Sequence, residues 1–263
     1  MMRYVIDGFL LAFQFFTLIP INKNIEWEQR RARYAIIFLP FIGLIMGSTL
    51  AGISNVMHMF SLSNLAISVC ILFFTVVVSG GLHLDGWMDC SDAYFSYRDK
   101  ERRLDIMSDP HVGAFGVISL FFLLLFRWLF LYESVAMNFI TTSLMLIVIP
   151  VLSRFGMVYL LTFTRTAKQS GLAFHFQKQL MQRDFFLAGI LTIVPLLLIA
   201  WMFDSFIVLL VLFIIIIGFS IIFHFFVKHA FGGVTGDTLG ACIEGGETVL
   251  WMIVWCLLSY ATV

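Results

Sequence analysis

The sequence predicts an all-α, polytopic membrane helical bundle of about seven spanning helices, and three observations predict it. Hydrophobic residues fill 61% of the 263 positions and charged residues only 12%, against about 25% charged in an ordinary soluble domain. Mean hydropathy is +0.99, and the charges are bunched so that apolar runs recur near the ~20 residues a spanning helix needs. The basic residues fall in alternate connecting segments, the pattern that positive-inside sorting produces.

The first element, Tyr4–Ile21, is apolar but contains Asp7 and Gln14 and ends at Pro20, so it either spans or lies at the interface. A signal peptide is the other reading, but no small-x-small cleavage site follows. The spans expected next are Tyr34–His58, Leu65–Leu82, Ala114–Tyr132, Phe139–Phe163, Phe185–Phe203, Phe206–Val227 and Thr248–Ala261. In lipid each must satisfy its own backbone hydrogen bonds, which selects helix. Segment 22–33 carries Lys23, Arg30, Arg31 and Arg33, and segment 83–113 carries Arg98, Lys100, Arg102 and Arg103. Segment 164–184 carries Arg165, Lys168, Lys178 and Arg183, and 228–247 carries Lys228. Those are thirteen of the 16 basic residues; segments 59–64, 133–138 and 204–205 hold none. The basic set is therefore expected on the cytoplasmic side.

Two of the remaining basic residues, Arg127 and Arg154, lie within spans, where arginine is costly and functional by default. Arg127 reads as structural, paired with a neighbour such as Glu133, and Arg154, nearer mid-span, reads as functional. No repeat, linker or low-complexity tract divides the chain, so residues 1–263 read as a single domain. A net charge of zero gives no reason to expect nucleic acid. Cys70, Cys90, Cys242 and Cys256 have no C-x-x-C spacing and predict neither a disulfide framework nor a zinc site.

Chemistry concentrates in two basic-side segments. In the first, Gly80-Gly81-Leu82-His83-Leu84-Asp85-Gly86 leads to Asp89 and Asp92. If the preceding helix continues, Asp85, Asp89 and Asp92 at i, i+4 and i+7 fall within roughly 60° on one face. Carboxylates so close repel and call for a positive partner. A hard divalent cation with oxygen ligands, magnesium carrying substrate phosphates above all, fits. The alternative is a solvated helix end paired with Arg98, Arg102 and Arg103. Asp99–Met107 alternates charge at helical spacing, predicting a short interfacial helix ended by Asp109-Pro110, with Asp99 and Arg103 as a favourable i, i+4 pair. Its arginines also suit phosphate. In the second segment, Gly232, Gly233 and Gly236 allow backbone amides to approach an anion closely, and Asp237, Glu244 and Glu247 add carboxylates on the same side as the first cluster. The two segments together suggest one metal–phosphate site.

The first run, with Arg98-Asp99, Glu101-Arg102-Arg103, Ile106-Met107 and Val112-Gly113-Ala114-Phe115-Gly116, resembles the bacterial cobalamin synthase (adenosylcobinamide-GDP ribazoletransferase) family. Phe13-Gln14-Phe15-Phe16-Thr17 with Ile19-Pro20 is similar to its N-terminal signature. Gly232-Gly233-Val234-Thr235-Gly236-Asp237 with Gly240-Ala241 is similar to its C-terminal one. Ala93 stands where the family pattern has glycine. The resemblance implies a magnesium-dependent transferase of a bacterial cytoplasmic membrane, its loops facing the cytoplasm. It would join adenosylcobinamide-GDP to α-ribazole or its 5′-phosphate and release GMP. In that reading Asp85, Asp89 and Asp92 hold Mg2+, and Asp92 or Asp237 takes the proton of the attacking hydroxyl, with His83 a further candidate base. Gly232, Gly233, Thr235 and Gly236 cradle phosphate, with Arg102 and Arg103 available to it. Membrane lipid and a homo-oligomeric partner are compatible with this reading. The rival readings are another intramembrane phosphotransferase or prenyltransferase acting on a phosphorylated lipid, and an ion-coupled transporter. The transporter would need polar groups near the midplane and internal symmetry.

Overall fold

The structure, a computed structural model, describes residues 2–26 and 28–261. Among them are twelve helices and no strand: α1 (Met2–Phe16), α2 (Gln29–Ile37), α3 (Leu39–Met59), α4 (Asn64–Ser79), α5 (Leu82–Phe95), α6 (Lys100–Ile106), α7 (Ala114–Met137), α8 (Phe139–Phe163), α9 (Leu172–Gln177), α10 (Gln182–Phe203), α11 (Phe206–Ala230) and α12 (Gly236–Ala261). Six of these, α3, α7, α8, α10, α11 and α12, are long and apolar enough to cross a membrane. The pair α4 and α5, bent by 89°, is a seventh candidate. A multi-pass helical membrane bundle is what the sequence predicted.

The bundle is organised around α8, whose spanning window is 89% buried, against 28% for α7 and α10 and 22% for α11. The outer helices turn their apolar faces outward, where lipid takes the place of a protein core. Lipid supplies no hydrophobic drive between helices, so close backbone approach holds them. Gly43 and Gly47 of α3 meet the backbone of Pro150 and Leu146 on α8, leaving no room for a Cβ. Pro150 has no N–H to donate to the Leu146 carbonyl, so that carbonyl faces Gly47 instead.

Two expectations fail at helix ends. The helix before the acidic run does not continue: Gly80 and Gly81 take φ of +68° and +73°, a left-handed conformation that side chains with a Cβ resist. The chain then restarts as α5 at nearly a right angle. At the other site, α12 starts at Gly236, so most of the segment read as a connection before Thr248 is helix. Thr235 caps it. Its hydroxyl accepts from the Thr238 amide (3.2 Å) while the Thr238 hydroxyl accepts from the Thr235 amide (2.8 Å), a reciprocal capping box.

The short helix between the spans forms as expected. Asp99 caps α6 by accepting from the Arg102 amide at 2.9 Å, so it does not pair with Arg103. Arg103 instead donates to the Ala230 carbonyl (3.2 Å) and lies over the Tyr94 ring. Beyond α6, the backbone N–H and ring of His111 hold the Asp109 carboxyl below its usual range. Helix α1 has 15 residues, about 22 Å, short of the ~30 Å hydrocarbon core. Its Asp7 meets Lys23 at 2.7 Å and Arg31 at 3.2 Å, while Gln14 ties down the carbonyls of Ile21 and Lys23.

Candidate active site

Helix α5 lies against the first turns of α12, and glycines set the spacing. A Cβ on Gly86 would come within 2.7 Å of the Asp237 carbonyl, and one on Gly240 within 3.1 Å of the His83 backbone. Each helix offers a glycine where the other offers backbone. That contact puts Asp85 and Asp89 of α5 beside Asp237 of α12, and Asp85, Asp237 and Asp92 all repel charge on Asp89. Asp85 is exposed, while Asp89 and Asp237 are half-buried. Asp237 keeps a long contact with the Thr235 hydroxyl at 3.4 Å and lies in the field of Lys168.

Asp92 shares the face but is differently engaged. Its two carboxylate oxygens accept from the amides of Gly113 (2.8 Å) and Gly116 (2.9 Å). It therefore caps the start of α7, where unpaired amides and the helix dipole favour a carboxylate. A Cβ on either glycine would collide with it. Among the described residues no three His, Cys, Asp or Glu side chains form a ready-made metal-ligand group. Magnesium, however, is usually held by one or two carboxylates together with substrate phosphates and water. The donor chemistry of Asp85, Asp89 and Asp237, hard oxygens grouped where α5 meets the first turn of α12, fits that demand.

His83 is buried, and neither ring nitrogen has a hydrogen-bond partner. It lines a cavity of about 80 Å3 together with Asp85, Asp237, Phe16 and Phe176. Buried polar nitrogens need partners, and this cavity is large enough to hold water.

The other sequence candidates divide. Gly236 borders this cavity, while Thr235 serves as the α12 cap. Gly233 is packed against the 165–167 backbone, where Val234 and Arg165–Ala167 exchange hydrogen bonds of 2.9 and 3.0 Å. Its small size serves that contact within the chain. Gly232, at φ +81°, makes the turn, and its carbonyl accepts from Arg165. Arg102 is exposed and pairs loosely with Asp105 at 3.6 Å, and Arg103 is turned toward α11. Lys168, which the sequence marked only as one basic residue among many, is brought near Asp237 by bonds to Leu104 and Ser108 that are not local in sequence.

Glu244 and Glu247 do not join the aspartates. They lie two to three turns further along α12, buried among spans. There Arg127 meets Glu244 at 2.7 Å and Glu247 at 3.6 Å, and Arg154 meets Glu247 at 2.6 Å. The 2.7 Å approach to Glu244 Oε2 is an ion contact without hydrogen-bond alignment. Thr248 and Ser153 complete the network, with Thr248 accepting from Arg127 and Ser153 donating to Glu247. Arg127 thus pairs across the bundle, and not with Glu133, while Arg154 has a structural partner. Two arginines facing two glutamates leave the group electrically neutral, as burial in a membrane demands.

Comparison with known proteins identifies the family. A family model described as cobalamin-5-phosphate synthase matches residues 8–255. Among curated relatives, a protein of Geobacillus thermodenitrificans is 42% identical over 99% of both chains. One of Geobacillus kaustophilus is 40% identical over 98% of both, and one of Halalkalibacterium halodurans is 35% identical over 97% of both. All three are named adenosylcobinamide-GDP ribazoletransferase. No solved structure matches. With the match running through both glycine-bearing acidic motifs and nearly every span, the chain belongs to the cobalamin-5-phosphate synthase family, transferases of cobalamin biosynthesis.

Proposed function

We propose that the protein joins adenosylcobinamide-GDP to α-ribazole or its 5′-phosphate with magnesium, releasing GMP, at a site facing the cytoplasm. The observation that carries this reading is the convergence of Asp85 and Asp89 with Asp237 from a motif about 150 residues away, Asp85 and Asp237 lining one cavity. The family match supplies the class of reaction. The basic residues of segments 83–113 and 164–184 support the orientation.

In this reading the ribose hydroxyl of the acceptor forms a bond to the cobinamide-linked phosphorus as the bond to the GMP oxygen breaks. The hydroxyl proton passes to a carboxylate, and the leaving GMP takes the electron pair. Asp85 and Asp89 would hold magnesium, which when bound neutralises charge on the diphosphate and the departing GMP. Asp237 is better placed than Asp92 to take the proton, because both oxygens of Asp92 already accept from α7 amides. His83, whose two ring nitrogens have no partner within the protein, would hydrogen-bond water or substrate in the cavity it shares with Asp85 and Asp237. The glycines of α5 and α12 fix the carboxylate spacing, a positioning role that a cradle of amides would not require.

The test uses purified protein in lipid nanodiscs with adenosylcobinamide-GDP and α-ribazole, following GMP and corrinoid product. Product should require magnesium, vanish on chelation, return on repletion, and be lost in Asp85→Asn and Asp89→Asn. Turnover that persists in both variants would retain the family and remove this metal site. Release of a product from a nucleotide-activated lipid, with none from the corrinoid, would instead favour the lipid phosphotransferase reading.

A further inference from the structure

Beside the acidic pocket, α6, the segment before α9 and the start of α12 enclose a second cavity of about 310 Å3, lined among others by Met107, Ser108, Lys168, Ser170, Thr235 and Asp237. It shares Leu172, Ala173, Gly236 and Asp237 with the cavity of His83 and Asp85. Asp237 therefore stands in the wall between two compartments of opposite character. One is acidic, with Asp85. The other holds hydroxyls and an ammonium group.

Lys168 is held in place. Its Nζ donates to the Leu104 carbonyl at 3.1 Å and to the Ser108 hydroxyl at 2.7 Å. An ammonium group has three donors, so two fix it and one remains. A lysine needed only as a solvated surface charge gains nothing from being held over a cavity, since ordering its long side chain is entropically unfavourable. A fixed ammonium beside Ser108, Ser170 and Thr235 has the chemistry of a site for a small oxyanion.

We infer that this cavity takes the 5′-phosphate of the nucleoside acceptor, with Lys168 as its counter-charge; the inference rests on the ribazole-transfer reading above. An acceptor whose reacting hydroxyl lies at Asp237 carries its phosphate only a few bonds away, which is the relation between the two cavities. The subsite also gives a physical basis for an acceptor used with or without phosphate: the acidic pocket handles the ribose, and the Lys168 cavity adds affinity for the phosphorylated form. A lysine that merely ties the 164–171 segment to α6 would affect both acceptors equally.

Equilibrium binding of α-ribazole and of α-ribazole 5′-phosphate to the protein in nanodiscs, by calorimetry, separates these possibilities. The wild type should bind the phosphorylated acceptor at least tenfold more tightly. Lys168→Gln should remove that preference while leaving α-ribazole affinity unchanged, and Lys168→Arg should keep most of it. Ser170→Glu, a change at an exposed position, should weaken only the phosphorylated form, so the inference stays testable if Lys168→Gln does not fold. With turnover measured in parallel, KM for the phosphorylated acceptor should rise in Lys168→Gln relative to KM for α-ribazole, whereas any change in kcat through the Asp237 field should be shared by both acceptors. Equal affinity of the wild type for both acceptors, or equal weakening of both by Lys168→Gln, would overturn the subsite and leave the transferase reading standing. Binding of neither acceptor would overturn both.

Discussion

Two groups of carboxylates lie on one helix, and they differ in everything except charge. Asp237 sits in the first turn of α12, half-buried, beside two aspartates of α5 and with one lysine in reach. Glu244 and Glu247 sit two to three turns on, buried, each in contact with an arginine from another span. The first group leaves negative charge for something outside the protein to neutralise. The second is neutralised from within. Acidity alone therefore does not mark a candidate site; what separates these two groups is whether the chain itself supplies the neutralising cations.

That contrast can be broken at either end. The largest expected effect is on the neutral group: Glu247→Leu leaves Arg154 charged and unpaired, a loss of about 3 kcal/mol or more. It should appear as a lower unfolding midpoint in detergent. Arg154→Met combined with Glu247→Leu should recover much of it, and a double variant no better than the single would show that the pair is not acting as a pair. Next comes Asp89→Asn, expected to lower kcat at least a hundredfold, about 2.7 kcal/mol in the barrier, with the midpoint unchanged. A fall in stability instead would place Asp89 in the structural class.

Asp92→Ala should give a mixed result, because its carboxylate holds the start of α7. A stability loss of about 1–3 kcal/mol should accompany reduced turnover, and Asp92→Asn should retain more of both. Gly240→Ala sharpens the spacing argument: a methyl against the His83 backbone should cost about 1–2 kcal/mol and reduce turnover without altering magnesium affinity. The smallest effect belongs to Arg102→Gln, which removes an exposed pair worth under about 1 kcal/mol and should leave activity near wild type. A large loss there would restore Arg102 to the substrate site.

The spans were legible because lipid imposes one rule on every apolar run, and α6 was legible because Asp99 and the Asp109-Pro110 pair mark its ends locally. The aspartate triad was legible as a spacing but not as three equal residues. Asp92 is taken by the amides of Gly113 and Gly116, more than twenty positions away, and no local pattern announces such a partner. The fate of Glu244 and Glu247 was closer to hand. Two arginines inside spans require two buried acids, and α12 begins early enough to supply them once its capping pair, Thr235 and Thr238, is recognised. The glycines of the second motif were ambiguous because glycine permits close approach without naming the partner. For Gly233 and Gly240 the partner is another stretch of the same chain.

The break at Gly80-Gly81 also fixes a direction. Helix α4 has 16 residues and is about 24 Å long, short of the ~30 Å hydrocarbon thickness by about one turn, whereas the 24 residues of α7 reach about 36 Å. A helix that stops short and turns through 89° sends its continuation across its own direction instead of onward. The aspartates of α5 are therefore aimed by two glycines: a residue with a Cβ at either would resist the left-handed turn and swing all three carboxylates together relative to α12.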